Sequence, residues 1–242
     1  MNKAIITSSW DDGHPSDFKV CKILSKNNIP GTFYIPLANS ENNLMNEIEI
    51  KSLSKDFEIG GHTLNHTTLT NLTEKEMNKE ILEGKEKMET ICGEIVSFAY
   101  PKGQYNKKVM KAVKNAKFLG ARTAELLHIK IKNKFEHHPT VQAFNRIFAS
   151  KGKQSLMTDE KKLTFSLLSS GVIFKGWDKI AKKTLDYVLD NGGIWHIWGH
   201  SWEIEQNNDW NRLDEVLEYA RNKGKDYGAE FLTNGEIFKN FN

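Results

Sequence analysis

Short apolar runs alternate with longer stretches of helical spacing along nearly the whole chain. That alternation predicts α/β units around a mainly parallel sheet. Residues 4–9 read as a strand that runs into Trp10-Asp11-Asp12-Gly13. Pro15 suits a first helical turn, where its missing N–H costs nothing. Phe18, Cys21 and Leu24 follow at helical spacing until Asn28-Ile29-Pro30-Gly31 ends the helix. Further strands are predicted at residues 32–35, 57–61, 95–100, 118–123, 194–200 and 230–232. Thr73 and Glu76 form a capping box for a helix whose apolar stripe is Met77, Ile81, Met88 and Ile91, closed by Gly93. Helices are also predicted around Val109–Ala116, over 159–169 and 177–189, and from an Asp209 cap to about residue 222. From 125 to 155 the pattern gives only strand fragments and loops. About seven mainly parallel strands with helices between them predict a distorted (β/α) barrel, a single domain over 1–242, with active residues at the C-terminal strand ends.

Composition narrows the class. The chain has 242 residues, enough for one sizeable core, with 38% hydrophobic and 27% charged residues. Mean hydropathy is −0.56, and no apolar run approaches the roughly 18 residues of a membrane helix. A net charge of +3, spread along the chain, lacks the concentrated basic face of a nucleic-acid binder. Neither nucleic acid nor membrane is therefore expected as a partner. The two cysteines are far apart and belong to no C-x-x-C pair, which excludes a disulfide scaffold. The N-terminus shows no long apolar stretch before its first charges, which predicts a cytoplasmic location.

Three polar groups of residues follow predicted strands. Adjacent carboxylates, Asp11 and Asp12, diverge on extended backbone and can take different roles; Asp-Gly is also a common turn signal. His62 and His66 share one face if their segment is helical, close enough to share a tetrahedral cation. One aspartate and two histidines leave an open coordination position, as catalytic zinc sites do. In Trp195-His196-Ile197-Trp198-Gly199-His200, alternate side chains share a face. His200, at the strand's C-terminal end, is better placed as an acid or base, and His196 reads as a hydrogen-bonded core residue.

The order Ser9-Trp10-Asp11-Asp12-Gly13, His62-Thr63-Leu64-Asn65-His66, Phe98-Ala99-Tyr100-Pro101-Lys102-Gly103 and a late strand ending in His200 resembles the polysaccharide deacetylases, the NodB-homology enzymes of carbohydrate esterase family 4. The resemblance implies a distorted barrel holding one divalent metal ion, usually zinc. By that likeness Asp12, His62 and His66 ligate the metal, Asp11 is the general base and His200 the general acid. The Tyr100–Lys102 segment lines the substrate groove, with the Lys102 N–H meeting the oxyanion.

The sequence also departs from the family. Ala99 stands where the family has an arginine that orients the base, and Lys102 where it has a tyrosine. Arg122, at the end of the next predicted strand, is the candidate replacement. The aspartate that the family pairs with its late histidine is missing, and Glu125 is the nearest carboxylate by position. The expected activity is metal-dependent hydrolysis of an amide C–N bond, deacetylating an N-acetylated carbohydrate. The rivals are hydrolysis of another linear or cyclic amide on the same fold, and an inactive carbohydrate-binding protein.

Overall fold

The computed structural model describes residues 3–144 and 160–241. Strands β1 (Ala4–Asp11), β2 (Thr32–Ile35), β3 (Glu58–Gly61), β4 (Ser97–Ala99), β5 (Gly120–Arg122), β6 (Val141–Gln142), β7 (Gly193–Gly199) and β8 (Glu230–Phe231) form one curled sheet. Its order is β5-β4-β3-β2-β1-β7-β6, and every pairing is parallel. β1 lies at the centre, with β7 along one edge from Ala4 to Trp10. Its other edge is shared, β8 pairing at Ile5–Ile6 and β2 at Ser9–Asp11.

Helices α1 (Asp17–Asn27), α2 (Glu47–Leu53), α3 (Glu74–Cys92), α4 (Lys107–Asn115), α5 (Lys161–Ser169), α6 (Trp177–Asn191), α7 (Ser201–Gln206), α8 (Trp210–Asp226) and α9 (Asn234–Asn240) connect and flank the strands. The core is aromatic-rich: Trp10, Trp177, Trp195, Phe33 and Phe98 are essentially fully buried. Burying each such side chain stabilises the fold by roughly 1.5–3 kcal/mol. Among the described residues no helix is long and apolar enough to cross a membrane.

The Thr73–Glu76 capping box forms in both directions, and Gly93 closes the helix at φ 85°. Several local expectations are corrected. α2 and α9, seven residues each and both opened by capping boxes, were not anticipated. Asp209 precedes α8 without capping it, because its carboxylate accepts from the Trp177 indole at 3.0 Å and pairs with Arg212. β4 stops at Ala99, one residue before Tyr100. β7 stops at Gly199, so His200 is the N-cap position of α7 rather than a strand residue. Of the helix expected over 159–169, residue 159 lies outside the described residues, as does the part of the 125–155 region beyond 144.

The segment from 134 to 143 bridges β5 and β7. Ala121 N–H donates to Lys134 O and Thr123 N–H to His137 O. Further on, Thr140 N–H donates to His196 O and Ala143 N–H to Trp198 O. One irregular stretch thus pairs first with one side of the gap and then with the other.

Candidate active site

The polar residues singled out from the sequence gather where β1, β3, β4, β5 and β7 end. Asp11 is the last residue of β1, in register with Tyr34. Asp12 turns off the strand at φ 79°, held by its N–H donating to Tyr34 O at 3.1 Å. Gly13 follows at φ 64°, and a Cβ there would lie 2.7 Å from Ile35, so the Asp-Gly turn is also what aims Asp12.

His62 and His66 do not share a helix. They flank a loop in which Thr63 (φ 70°) and His66 (φ 53°) are left-handed. For a β-branched threonine this backbone is an outlier, costing about 1–3 kcal/mol, so surrounding contacts must impose it. α3 supplies them: Leu64 N–H donates to Glu80 O, and Asn65 donates to the Glu80 carboxylate from its N–H (2.9 Å) and its side chain (2.7 Å). From the other side, Leu37 and Ala38 N–H groups both donate to Leu64 O.

Asp12, His62 and His66 converge, with potential ligand atoms all within 4.8 Å of one another. Asp12 Oδ1 lies 3.2 Å from His66 Nε2 and 3.8 Å from His62 Nε2. That oxygen is buried and has no hydrogen-bond partner among the described residues. His62 Nδ1–H donates to Ala99 O at 2.8 Å, which leaves Nε2 as the lone-pair nitrogen facing Asp12. Burial lowers the His62 imidazole to a pKa of about 4, so it is neutral, as a ligand must be. The other Asp12 oxygen is held differently: Oδ2 accepts from the Trp202 indole at 3.0 Å and from Asn42 at 3.3 Å. Burial alone would raise the Asp12 pKa, but His200, His62, His66 and the Trp202 bond outweigh it and hold the carboxylate below its ordinary value. An orphaned buried oxygen between two imidazoles is a donor set that suits a divalent cation of zinc type.

Asp11 faces the other way. Arg122, 1% exposed, places one terminal nitrogen against both Asp11 oxygens and donates from the other to Thr123 O. The guanidinium lies over the rings of Trp198 (4.6 Å) and Tyr34 (5.3 Å). Room for the Tyr34 ring depends on Gly60, where a Cβ would meet the ring at 2.4 Å. Arg122 thus reaches Asp11 from the end of β5.

His200 Nδ1–H donates to Glu203 Oε2 at 2.8 Å, and its Nε2 stands 3.9 Å from Asp12 Oδ2. Gln142 on β6 donates to the same Glu203 oxygen at 3.1 Å. Burial would lower the His200 pKa, but the Glu203 hydrogen bond, with the charges of Asp12 and Glu203, raises it above the ordinary value. Glu203 therefore stands where position in the sequence suggested Glu125. The Glu125 carboxylate is exposed and accepts instead from the Tyr105 hydroxyl at 3.1 Å. The signal for Glu203 was its place three residues after His200, a spacing that brings side chains together only once α7 begins. Trp202 and Asn42 had no comparable signal.

The remaining expectations divide. Lys102 sits in a left-handed turn (φ 56°) and its ammonium pairs with Glu41 at 2.6 Å. Glu41 also stands 3.6 Å from His66 Nδ1. The Tyr100 phenol is not a groove-lining group: it is buried, stacks on Tyr105 and donates to Phe135 O at 2.9 Å. His196 is a core residue, bonded to Ser9 Oγ (2.8 Å) and to the buried His137 (2.9 Å).

A peptidoglycan-N-acetylglucosamine deacetylase of Bacillus cereus is 29% identical over 119 residues, which cover 48% of this chain and 54% of that protein. The chain thus spans about half the length of this relative. Among solved structures, a family 4 acetyl xylan esterase from Clostridium thermocellum in complex with a cobalt ion superposes with a TM-score of 0.59 at 18% identity, covering 97% of this chain and 90% of that one. A family 4 carbohydrate esterase from Streptomyces lividans in complex with acetate gives 0.58 at 13% identity, covering 95% and 92%. These structures share the fold. A family model described as polysaccharide deacetylase matches residues 1–121, half the chain, from β1 into β5. The matched half carries the Asp11–Asp12 pair, both loop histidines and the Tyr100–Gly103 turn, and on that match the chain belongs to the polysaccharide deacetylase family.

Proposed function

We propose that this chain removes the acetyl group from an N-acetylated sugar or polysaccharide by metal-dependent hydrolysis of the amide C–N bond. The observation that carries the reading is the separation of two adjacent carboxylates. Asp11 is ion-paired with Arg122, whereas Asp12 presents an unpartnered oxygen to His62 and His66. A turn needs neither arrangement; a base beside a metal ligand needs both.

Asp12, His62 and His66 would hold the cation, with zinc the ion best suited to one carboxylate and two imidazoles. When bound, it supplies a Lewis acid that lowers the pKa of water from 15.7 to about 7 and polarises the amide carbonyl. The cobalt ion of the Clostridium esterase supports a divalent ion in this fold. Asp11 accepts the proton of the attacking water, and Arg122 fixes the carboxylate's direction. The Lys102 backbone N–H meets the charge that develops on the carbonyl oxygen. His200, oriented by Glu203, gives its proton to the departing nitrogen as the C–N bond breaks. The products are acetate and a free amine. N-acetylglucosamine polymers are the first substrates to try, from the name of the Bacillus relative.

One observation favours a second amide substrate class. Ala99 and Lys102 depart from the family's third motif, so the wall beside Asp11 differs from that of the polymer deacetylases. The test is product analysis with metal-loaded protein: acetate from acetylated glucosamine oligomers supports deacetylation. A ring-opened acid from cyclic amides, with no acetate from sugars, would transfer the assignment to that class. No turnover of either by folded, metal-loaded protein would leave a carbohydrate-binding protein.

A further inference from the structure

A second group of metal-ligand side chains lies on the stretch that follows Arg122. Glu125, His128 and His138 bring one potential ligand atom each to within 4.8 Å of the others, and share no residue with the Asp12 cluster. We infer that these three residues form a second divalent-cation site, selective for a transition ion of the zinc, nickel or copper type.

Its frame is built by backbone pairing. Leu127 N–H donates to Thr140 O, His128 N–H to Pro139 O, and Thr140 Oγ1 to His128 O at 2.8 Å. These bonds hold the two histidine-bearing segments side by side, with the imidazole centroids 4.3 Å apart. Leu127, a buried non-glycine residue, is held at φ 64° immediately before His128. The Glu125 carboxylate is anchored by the Tyr105 hydroxyl on Oε1, while Oε2 stands 3.9 Å from His138 Nδ1. That separation is too long for a hydrogen bond. His138 Nδ1 is instead bonded to Thr123 Oγ1 at 2.7 Å, which fixes the ring's orientation.

Ligands about 2.0–2.2 Å from a tetrahedral ion stand roughly 3.3 Å from one another. Closing a spacing of at most 4.8 Å to that value needs a movement of about 1.5 Å or less, shared among the three side chains. Two imidazoles and one carboxylate select borderline ions over magnesium or calcium, which prefer all-oxygen sites. Thr123, the outer partner, is also the residue whose carbonyl accepts from Arg122. The second site thus borders the wall that carries the Asp11 partner, though its existence does not depend on the catalytic reading.

The test is metal titration of the chelator-stripped full chain with Zn²⁺ and with Ni²⁺, read by calorimetry and by elemental analysis after dialysis. The expected result is one ion that H128A/H138A loses and H66A retains. Binding by H128A/H138A with the stoichiometry and affinities of the wild type would overturn the site. E125Q alters an exposed group that folding tolerates, and should weaken the same ion by roughly 10-fold or more. Unchanged affinities for every ion in folded E125Q would also count against it. Failure of the Asp12 cluster has a different signature: H66A would then bind as the wild type does, whatever H128A/H138A shows.

Discussion

Arg122 and Asp11 form a buried ion pair in which each charge has the other as its main compensation. Removing one partner should leave the other stranded, at a cost of about 3–5 kcal/mol. Arg122→Met is therefore expected to lower stability by that amount and to cut turnover by at least about 10²-fold. Asp11→Asn/Arg122→Met should recover much of the stability and none of the activity. Urea melts and acetate release, measured on the same preparations, check both halves. Equal stability of Arg122→Met and wild type would show that the pair does not hold Asp11. Glu203 invites a separate test. Its hydrogen bond is the foremost influence raising the His200 pKa against the effect of burial. A general acid must hold its proton, so the alkaline limb of the rate should lie above the ordinary imidazole value. Glu203→Gln should move that limb to lower pH, with metal content unchanged. A profile that stayed put would remove Glu203 from the acid's support. Asp11, Asp12, His62, His66 and His200 were legible because motif order places them at strand ends. Arg122 was legible as the next cation at such an end. Glu203 was not, since reading the strand through His200 hid the turn into α7 that brings the two side chains together.

At the scale of elements, α3 acts as a template for the loop between β3 and its second histidine. Gly84 faces that loop so closely that a Cβ would lie 2.8 Å from Leu64 N and 2.9 Å from Thr63 C. Both are backbone atoms of the strained segment. In an exposed helix, Gly→Ala stabilises by about 1 kcal/mol; here the sign should reverse. Gly84→Ala is expected to lower both the melting temperature and the affinity for the metal, because Thr63 and Leu64 must move and His62 and His66 flank them. Competition with a chromogenic chelator measures the affinity; an unchanged value alongside a raised melting temperature would show that α3 does not shape the site. The capping box and apolar stripe of α3 were legible because they are local. The shape of the His62–His66 loop was not: two left-handed residues held by Glu80, Leu37 and Ala38 bring the histidines together, where spacing alone suggested one helical face. The short α2 and α9 escaped for a related reason, since seven residues give too few turns for a periodic stripe.

For the whole molecule, the parallel strand-and-helix architecture followed from the alternation of strand and helix, but its closure did not. Residues 134–143 pair with β5 and then with β7 through scattered backbone bonds, and only Val141–Gln142 make a strand there. Such a seam leaves no period-2 signature in the sequence. It joins the β5 end, which carries Arg122, to the β7 end, which leads to His200. Asp12, just after β1, and His62 and His66, after β3, follow strands separated by β2 in the sheet, so one ion at their meeting point ties together segments far apart in the chain. Anything bound only by the folded state stabilises it by mass action, by about 2.7 kcal/mol at a free ion concentration 100 times Kd. For a domain of this size that corresponds to a rise in Tm of about 5–11 °C. Stripping with a chelator should therefore lower Tm by at least this amount and abolish turnover, and adding back Zn²⁺ or Co²⁺ should restore both. The double variant H128A/H138A isolates the contribution of the Asp12 cluster and should retain that one-ion shift. Asp12→Asn should lose that part of the shift together with the activity. If Asp12→Asn melted with the full metal-dependent shift of wild type, the ion that stabilises the fold would have to be bound elsewhere.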